Sequence, residues 1–369
     1  MTSISSVRWG DSMGLLRVGR VGVAVAAAGA VLVGCMPWQG EEPQDKKDAG
    51  VAAAAKASAA AAGQAALLKT RLATAAKVHA NELGQIPVLM YHRVVDKPAT
   101  QDDRTPQQFR TELERLARED YVPITAAEYV TGRIDIPAGR HPVVLTFDDS
   151  SPSQFDLDGM GAPKPQTAVA ILQEVAQRHP GFRPVATFYV TRDMFGKTTP
   201  EEQAQMLMWL RDKGFDIGNH TRDHQSLRGK PEKQVSSEVA AGHELITKLL
   251  NTNPVTLALP YGNQPTKKEW GRKGAAGDVS YDYGGVFLAG YTPALSPFNK
   301  KFDPDGIPRI RSMDKTGDCV KFCSTAWLDW LKANGDERYT SDGDAKTVAF
   351  PKFKTPFVVK RYTDRVLAY

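Results

Sequence analysis

The chain has 369 residues, with 47 Lys and Arg against 42 Asp and Glu, for a net charge of +5. The excess is modest and partly carried by the first residues. No dense Lys/Arg cluster with interleaved aromatics occurs, which argues against a nucleic-acid partner.

Arg8, Arg17 and Arg20 precede an apolar run from Val21 to Val33. The run is too short for an ordinary membrane span and has the charge order of a secretory signal. It ends in Leu32-Val33-Gly34-Cys35, which looks like a bacterial lipobox, with a plain signal peptide and a chance Cys as the alternative. The expectation is a lipoprotein signal peptide over 1–34, with Cys35 lipidated and anchored to the outer face of a bacterial membrane. Residues 35–84 follow as an Ala-rich, partly helical tether with little bulk to bury. The remainder, 85–369, is long enough for one domain of barrel size with a C-terminal extension.

In that domain, Ile86 to Tyr91 reads as a strand. Thr105-Pro106 is a helix start, followed by Phe109, Leu113, Leu116 and Ala117 at helical spacing. Val143–Phe147 is a buried strand and Thr167–His179 a helix stopped by Pro180. The polar, Gly/Pro-rich Ser150–Pro165 is a loop that could rim a site. A strand at Val185–Val190, a helix at Pro200–Lys213, a short strand at Phe215–Gly218 and a long helix at Pro231–Leu250 continue the alternation. Thr256–Leu259, Gly285–Ala289 and Ile307–Ile310 are strand candidates, and Ser324–Asn334 is a last helix. Alternating elements predict an α/β fold with a parallel sheet, whose active residues collect at strand carboxyl ends. Cys319 and Cys323 predict a local disulfide in an oxidising compartment.

Strand ends carry the polar residues that matter. Thr146-Phe147-Asp148-Asp149-Ser150 puts two carboxylates after an apolar strand, costly if buried unpaired, although a solvated turn would also suit. His220-Thr221-Arg222-Asp223-His224 has two His at i and i+4, a spacing fit for a divalent metal but weak alone. Leu259-Pro260-Tyr261-Gly262 is, by itself, a turn.

Together, in this order, the segments resemble the polysaccharide deacetylase family, carbohydrate esterase family 4, with its motifs T-F-D-D, H-[ST]-x-x-H and R-x-P-Y. Ala186–Val190, Gly214–Asn219 and the opening Val88–Val94 are similar too, so the resemblance covers roughly residues 85 to 312. It implies a deformed (β/α) barrel. It also implies that Asp149, His220 and His224 hold a divalent metal, with zinc the best fit and Co2+ or Ni2+ able to use the same ligands. Asp148 would be the general base, and the backbone N–H of Tyr261 would help hold the oxyanion. Thr221 would be structural.

Two positions depart from the pattern. The third-motif Arg is replaced by Ala258, and Arg309 could supply its charge or be a surface residue. The late His that would protonate the leaving amine is missing, since no His follows His243. His92, at the end of the first strand, is the candidate replacement acid, with a structural strand-end His as the alternative. His243 reads as a surface or boundary residue. Tyr281 and Tyr283 could stack on a sugar or pack in their loop, whereas Trp209, Trp327 and Trp330 read as packing.

The implied function is hydrolytic N-deacetylation of an extracellular glycan such as peptidoglycan, chitin-like polymer or poly-N-acetylglucosamine. An O-acetyl esterase and a catalytically silent glycan-binding module are the competing readings.

Overall fold

The computed structural model describes residues 44–369. The expected signal peptide and the expected lipidation site, Cys35, lie outside the described residues. Helix α1 runs over Gln44–Lys77, and the compact unit extends from Ala61 to Tyr369. Within it, Ala75 and Ala80 are buried against Ala349 and Leu367. Asn81 N–H donates to Thr340 O at 2.8 Å. The last residues of the stretch read as tether therefore pack into the globular unit, where small Ala side chains permit close approach. Among the described residues, no helix is long and apolar enough to cross a membrane.

The following elements are β1 (Gln85–Ile86), β2 (Val88–Tyr91), α2 (Pro106–Arg118), β3 (Tyr121–Ile124), α3 (Ala126–Thr131), β4 (His141–Asp148) and α4 (Ala168–Arg178). Next come β5 (Thr187–Val190), α5 (Pro200–Asp212), β6 (Asp216–Asn219), α6 (Glu232–Leu250), β7 (Thr256–Ala258) and α7 (Glu269–Arg272). The chain closes with β8 (Lys273–Ala276), β9 (Val279–Asp282), β10 (Gly285–Phe287), β11 (Ala294–Leu295), β12 (Ile310–Arg311), α8 (Cys319–Phe322), α9 (Ser324–Ala333), β13 (Val348–Phe350) and β14 (Val366–Ala368). Thr105 caps α2 as its sequence suggests, with the reciprocal Gln108 contact of a capping box.

The main sheet has eight strands, in the order β10-β7-β6-β5-β4-β2-β12, with β3 joined to β4. Its β10–β7, β6–β5, β5–β4, β4–β3, β4–β2 and β2–β12 ladders are parallel. Ile307 forms a parallel bridge to Phe287, and Ile310–Arg311 pairs with Leu89–Met90. The segment 307–311 thus links the two ends of the sheet and curls it into the expected deformed barrel.

Strand parity explains what lies where. On β4, Val143, Leu145 and Phe147 join Phe109, Leu113, Leu172 and Leu207 in the core between sheet and helices. Val144 faces the opposite core with Val88, Tyr189, Ala258, Phe287 and Ile307. Residues two apart continue that inner row upward, so Thr146 and Asp148, Met90 and His92, and Arg309 and Arg311 all rise toward one mouth.

Several elements were not expected from sequence, among them the following. Strand β3 contains Pro123, which removes a donor and weakens the strand signal. The hairpin β8–β9 and the parallel pair β13–β14 are short, and the partners of the latter are separated by two 3-10 segments.

Candidate active site

Asp148 ends β4, and the next residues leave the strand in left-handed backbone: Asp149 has φ 74° and Ser150 φ 49°. Thr221 (φ 58°), His224 (φ 51°) and Tyr261 (φ 59°) adopt the same region. Non-Gly residues there cost free energy, so their concentration around one mouth marks a site that the surrounding structure over-determines.

Packing holds these turns. Asn219, fully buried at the end of β6, accepts the Thr221 N–H at 2.8 Å through Oδ1. Its Nδ2 donates to Val239 O and to Tyr283 Oη. Gly242 on α6 leaves the space, because a Cβ there would lie 2.2 Å from Asn219 Oδ1 and 2.9 Å from Thr221 C. From the rim loop, Gln154 Nε2 donates to His92 O at 2.9 Å and Asp148 O at 2.5 Å, tying two strand ends together.

Ligand atoms of Asp149, His220 and His224 all lie within 4.8 Å of one another. Asp149 Oδ1 is 3.5 Å from His220 Nε2 and 3.3 Å from His224 Nε2, and has no hydrogen-bond partner. His220 Nδ1 is 2.8 Å from the Ala258 carbonyl, which directs Nε2 at the cluster. Two imidazole nitrogens and an unpartnered carboxylate oxygen are the donor set of an open divalent-metal site, and the residues fit it.

Asp148 lies beside this trio, its Oδ2 3.7 Å from His220 Nε2. Arg309, fully buried, donates from both terminal nitrogens to the two Asp148 oxygens at 2.7 Å each. It also donates from Nε to Leu288 O and from Nη1 to Thr146 Oγ1. Arg309 is therefore no surface residue. Burial alone would push the Asp148 carboxyl up, but the charge of Arg309, then that of His220, outweighs it and holds the group well below the usual range. Burial opposes charge on His220 too, yet Asp148 and Asp149 raise it above its ordinary value. Burial, followed by repulsion from His220, lowers His224.

His92 lines the same cavity, of about 540 Å³, with Asp148, Asp149, His220, His224 and Tyr261. All six candidate site residues thus converge. His92 Nδ1 is buried without a hydrogen-bond partner. Tyr261 sits in a 3-10 turn, Pro260–Gly262, whose backbone bonds use the N–H groups of Gly262 and Asn263. Its N–H stays outside those bonds, and its ring, 66% exposed, meets His224 edge-on at 4.6 Å.

Some residues lie elsewhere than the sugar-binding alternative required. Tyr281 and Tyr283 are buried in a separate core with Leu257 and Val286, because the β8–β9 hairpin folds onto α6. His243 is buried as well, its Nδ1 3.1 Å from Tyr283 Oη. Besides Tyr261, the tyrosine that lines the cavity is Tyr291, along with Arg311 and Met90. Tyr291 follows β10 in an irregular stretch that no sequence period singles out. Cys319 and Cys323 are bonded.

Comparison with known proteins agrees with the motifs. A sequence model of the polysaccharide deacetylase family matches residues 135–275. A peptidoglycan-N-acetylglucosamine deacetylase of Bacillus cereus is 24% identical over 157 residues, 42% of this chain. The match spans 50% of that relative's length, so this chain covers about half of it. The deacetylase PplD of Streptococcus pyogenes, solved with acetate, superimposes with a TM-score of 0.48 at 20% identity, covering 64% of this chain and 96% of that one. IcaB from Ammonifex degensii gives a TM-score of 0.45 at 20% identity, covering 64% and 95%.

Proposed function

We propose that the chain, whose residues 135–275 match the polysaccharide deacetylase family model, is a member of that family and hydrolyses the acetamido groups of an N-acetylated extracellular polysaccharide. The observation that carries the reading is the convergence of Asp149, His220 and His224 on one point beside a buried, ionised Asp148. Asp149, His220 and His224 would hold a divalent cation, best zinc for this donor set, which when bound supplies Lewis acidity and a more acidic water.

The chain's own residues do the rest. Asp148, kept ionised by Arg309, takes a proton from the attacking water as its oxygen bonds to the acetyl carbon. The Tyr261 N–H, presented by its left-handed turn, donates to the oxyanion that develops on the former carbonyl oxygen. His92 gives a proton to the nitrogen as the C–N bond breaks, releasing acetate and leaving a free amine on the sugar. His92 takes this part because its strand end places it on the same mouth and leaves Nδ1 unpartnered.

A signal peptide and lipidation at Cys35 would hold the enzyme at the outer face of a bacterial membrane, within reach of peptidoglycan or exported glycan. The test is acetate release from N-acetylglucosamine oligomers by the full chain, with zinc and with chelator. Zinc-dependent release supports the reading. A zinc-loaded protein that releases acetate only from acetyl esters would replace it with the esterase reading.

A further inference from the structure

A second cavity, of about 830 Å³, adjoins the catalytic one. Tyr291 and Arg311 line both, so the two form one continuous groove. The outer part is walled by the stretch that carries Met313, Phe322 and the Cys319–Cys323 disulfide. Its volume falls within the roughly 300–1,000 Å³ of small-molecule sites.

Two aromatic rings are spent on this wall. Tyr291 is 64% exposed and Phe322 47%, with ring centroids 6.5 Å apart. Rings that pack in no core cost solvation unless something covers them. Their frame is fixed. Trp327 Nε1 donates to Tyr291 O at 2.6 Å, Tyr291 bridges Ile310, and Ser324 Oγ accepts the Met313 N–H at 3.1 Å. The disulfide closes the loop that carries Phe322. Such a wall is organised before a ligand arrives, which lowers the cost of binding. Arg311, held 2.8 Å from Asp102, and Gln101 place polar groups at its edge.

An apolar ring face edged by hydrogen-bonding groups matches a pyranose, which has C–H faces and hydroxyls around its rim. Resting on the deacetylase reading, we propose that this groove binds the sugar rings flanking the residue being deacetylated, one against Tyr291 and the next against Phe322. The enzyme would then select chains over short oligomers.

The experiment measures binding and turnover separately, with the full chain and two probes, N,N'-diacetylchitobiose and the hexamer of N-acetylglucosamine. Calorimetry in chelator, where no turnover intervenes, gives the preference for hexamer over dimer. The Tyr291→Ala and Phe322→Ala variants each lower that preference about tenfold, and Tyr291→Phe retains it. With metal, the same variants raise KM for the hexamer and leave kcat unchanged. Both rings are exposed, so thermal melting should stay at the wild-type value. Equal affinity of the wild type for dimer and hexamer overturns the proposal, as does an unchanged preference in both alanine variants. Tight hexamer binding without acetate release sinks the deacetylase reading and leaves the groove. Acetate release with a KM independent of chain length does the reverse.

Discussion

Arg309 and Asp148 share two 2.7 Å hydrogen bonds although β2 lies between their strands. The curl of the sheet brings the segment 307–311 over the mouth, and inner-row parity turns Arg309 toward the carboxylate. Ala258, at the position of the family's arginine, faces inward in the same core. In this chain the charge beside Asp148 comes from Arg309.

Removing that charge should cost both stability and rate. Arg309→Gln leaves Asp148 buried without its partner, a loss of about 3–5 kcal/mol for a broken buried pair. Urea denaturation should show it, together with a fall in kcat. A variant as stable as the wild type would mean that solvent reaches Asp148.

His92→Asn should separate leaving groups. General-acid assistance contributes roughly 10²–10⁴-fold to rate, and an amine departs far less readily than an alkoxide. We expect the variant to lose about that factor on N-acetyl substrates and much less on an acetyl ester. Equal losses on both would assign His92 a structural part.

Two groups remote from the site should shape stability against pH with opposite signs. His141 is buried, its Nδ1 2.8 Å from Tyr339 O, and burial followed by the Arg338 charge pushes its pKa down to about 4. It resists protonation when folded, so its contribution is present above the unfolded value near 6.5 and lost as pH falls through 4. Glu82 is buried, and burial followed by Asp342 pushes it up to about 8. Its contribution is present below about 4.5 and lost as pH rises through 8. Glu82→Gln should therefore make the slope of unfolding free energy against pH more positive between those values. His141→Gln should make its own slope less positive between pH 4 and 6.5. Each change is at most about 1.4 kcal/mol per pH unit. Denaturation across this range reads both, and a slope change of the wrong sign in either variant would refute the assignment.

Gly242→Ala tests how the His220–His224 turn is held. The added Cβ would meet Asn219 Oδ1 and the Thr221 backbone. Overpacking of this kind costs about 1–3 kcal/mol, and here the displaced atoms position two metal donors. Zinc affinity, measured by chelator competition, should fall. Unchanged affinity would show that the turn keeps its shape without Asn219.

Much of this was legible in the chain itself. Alternating elements, capped helices and apolar strand runs announced the α/β barrel. Asp148, Asp149, His220, His224 and Tyr261 stood at strand ends in the family's order, and His92 followed from its place after β2. What remained hidden depends on contacts between distant segments. Whether Arg309 faced solvent or Asp148 turned on barrel closure, which no local pattern encodes. Tyr281 and Tyr283 looked available because their Gly-rich surroundings read as a loop, yet a hairpin buries them under α6. Tyr291 carried no signal, since its exposure is set by Trp327 and the disulfide loop.

The most direct test of the central claim compares the zinc-loaded wild type with Asp148→Asn. Acetate release from the N-acetylglucosamine hexamer and bound zinc would be measured on the same samples. The account predicts that the wild type releases acetate, while the variant binds zinc in equal amount and releases it at least about 10²-fold more slowly. A variant of near wild-type rate, or a zinc-loaded wild type that releases no acetate, would contradict the assignment of Asp148 as the base of an N-deacetylase.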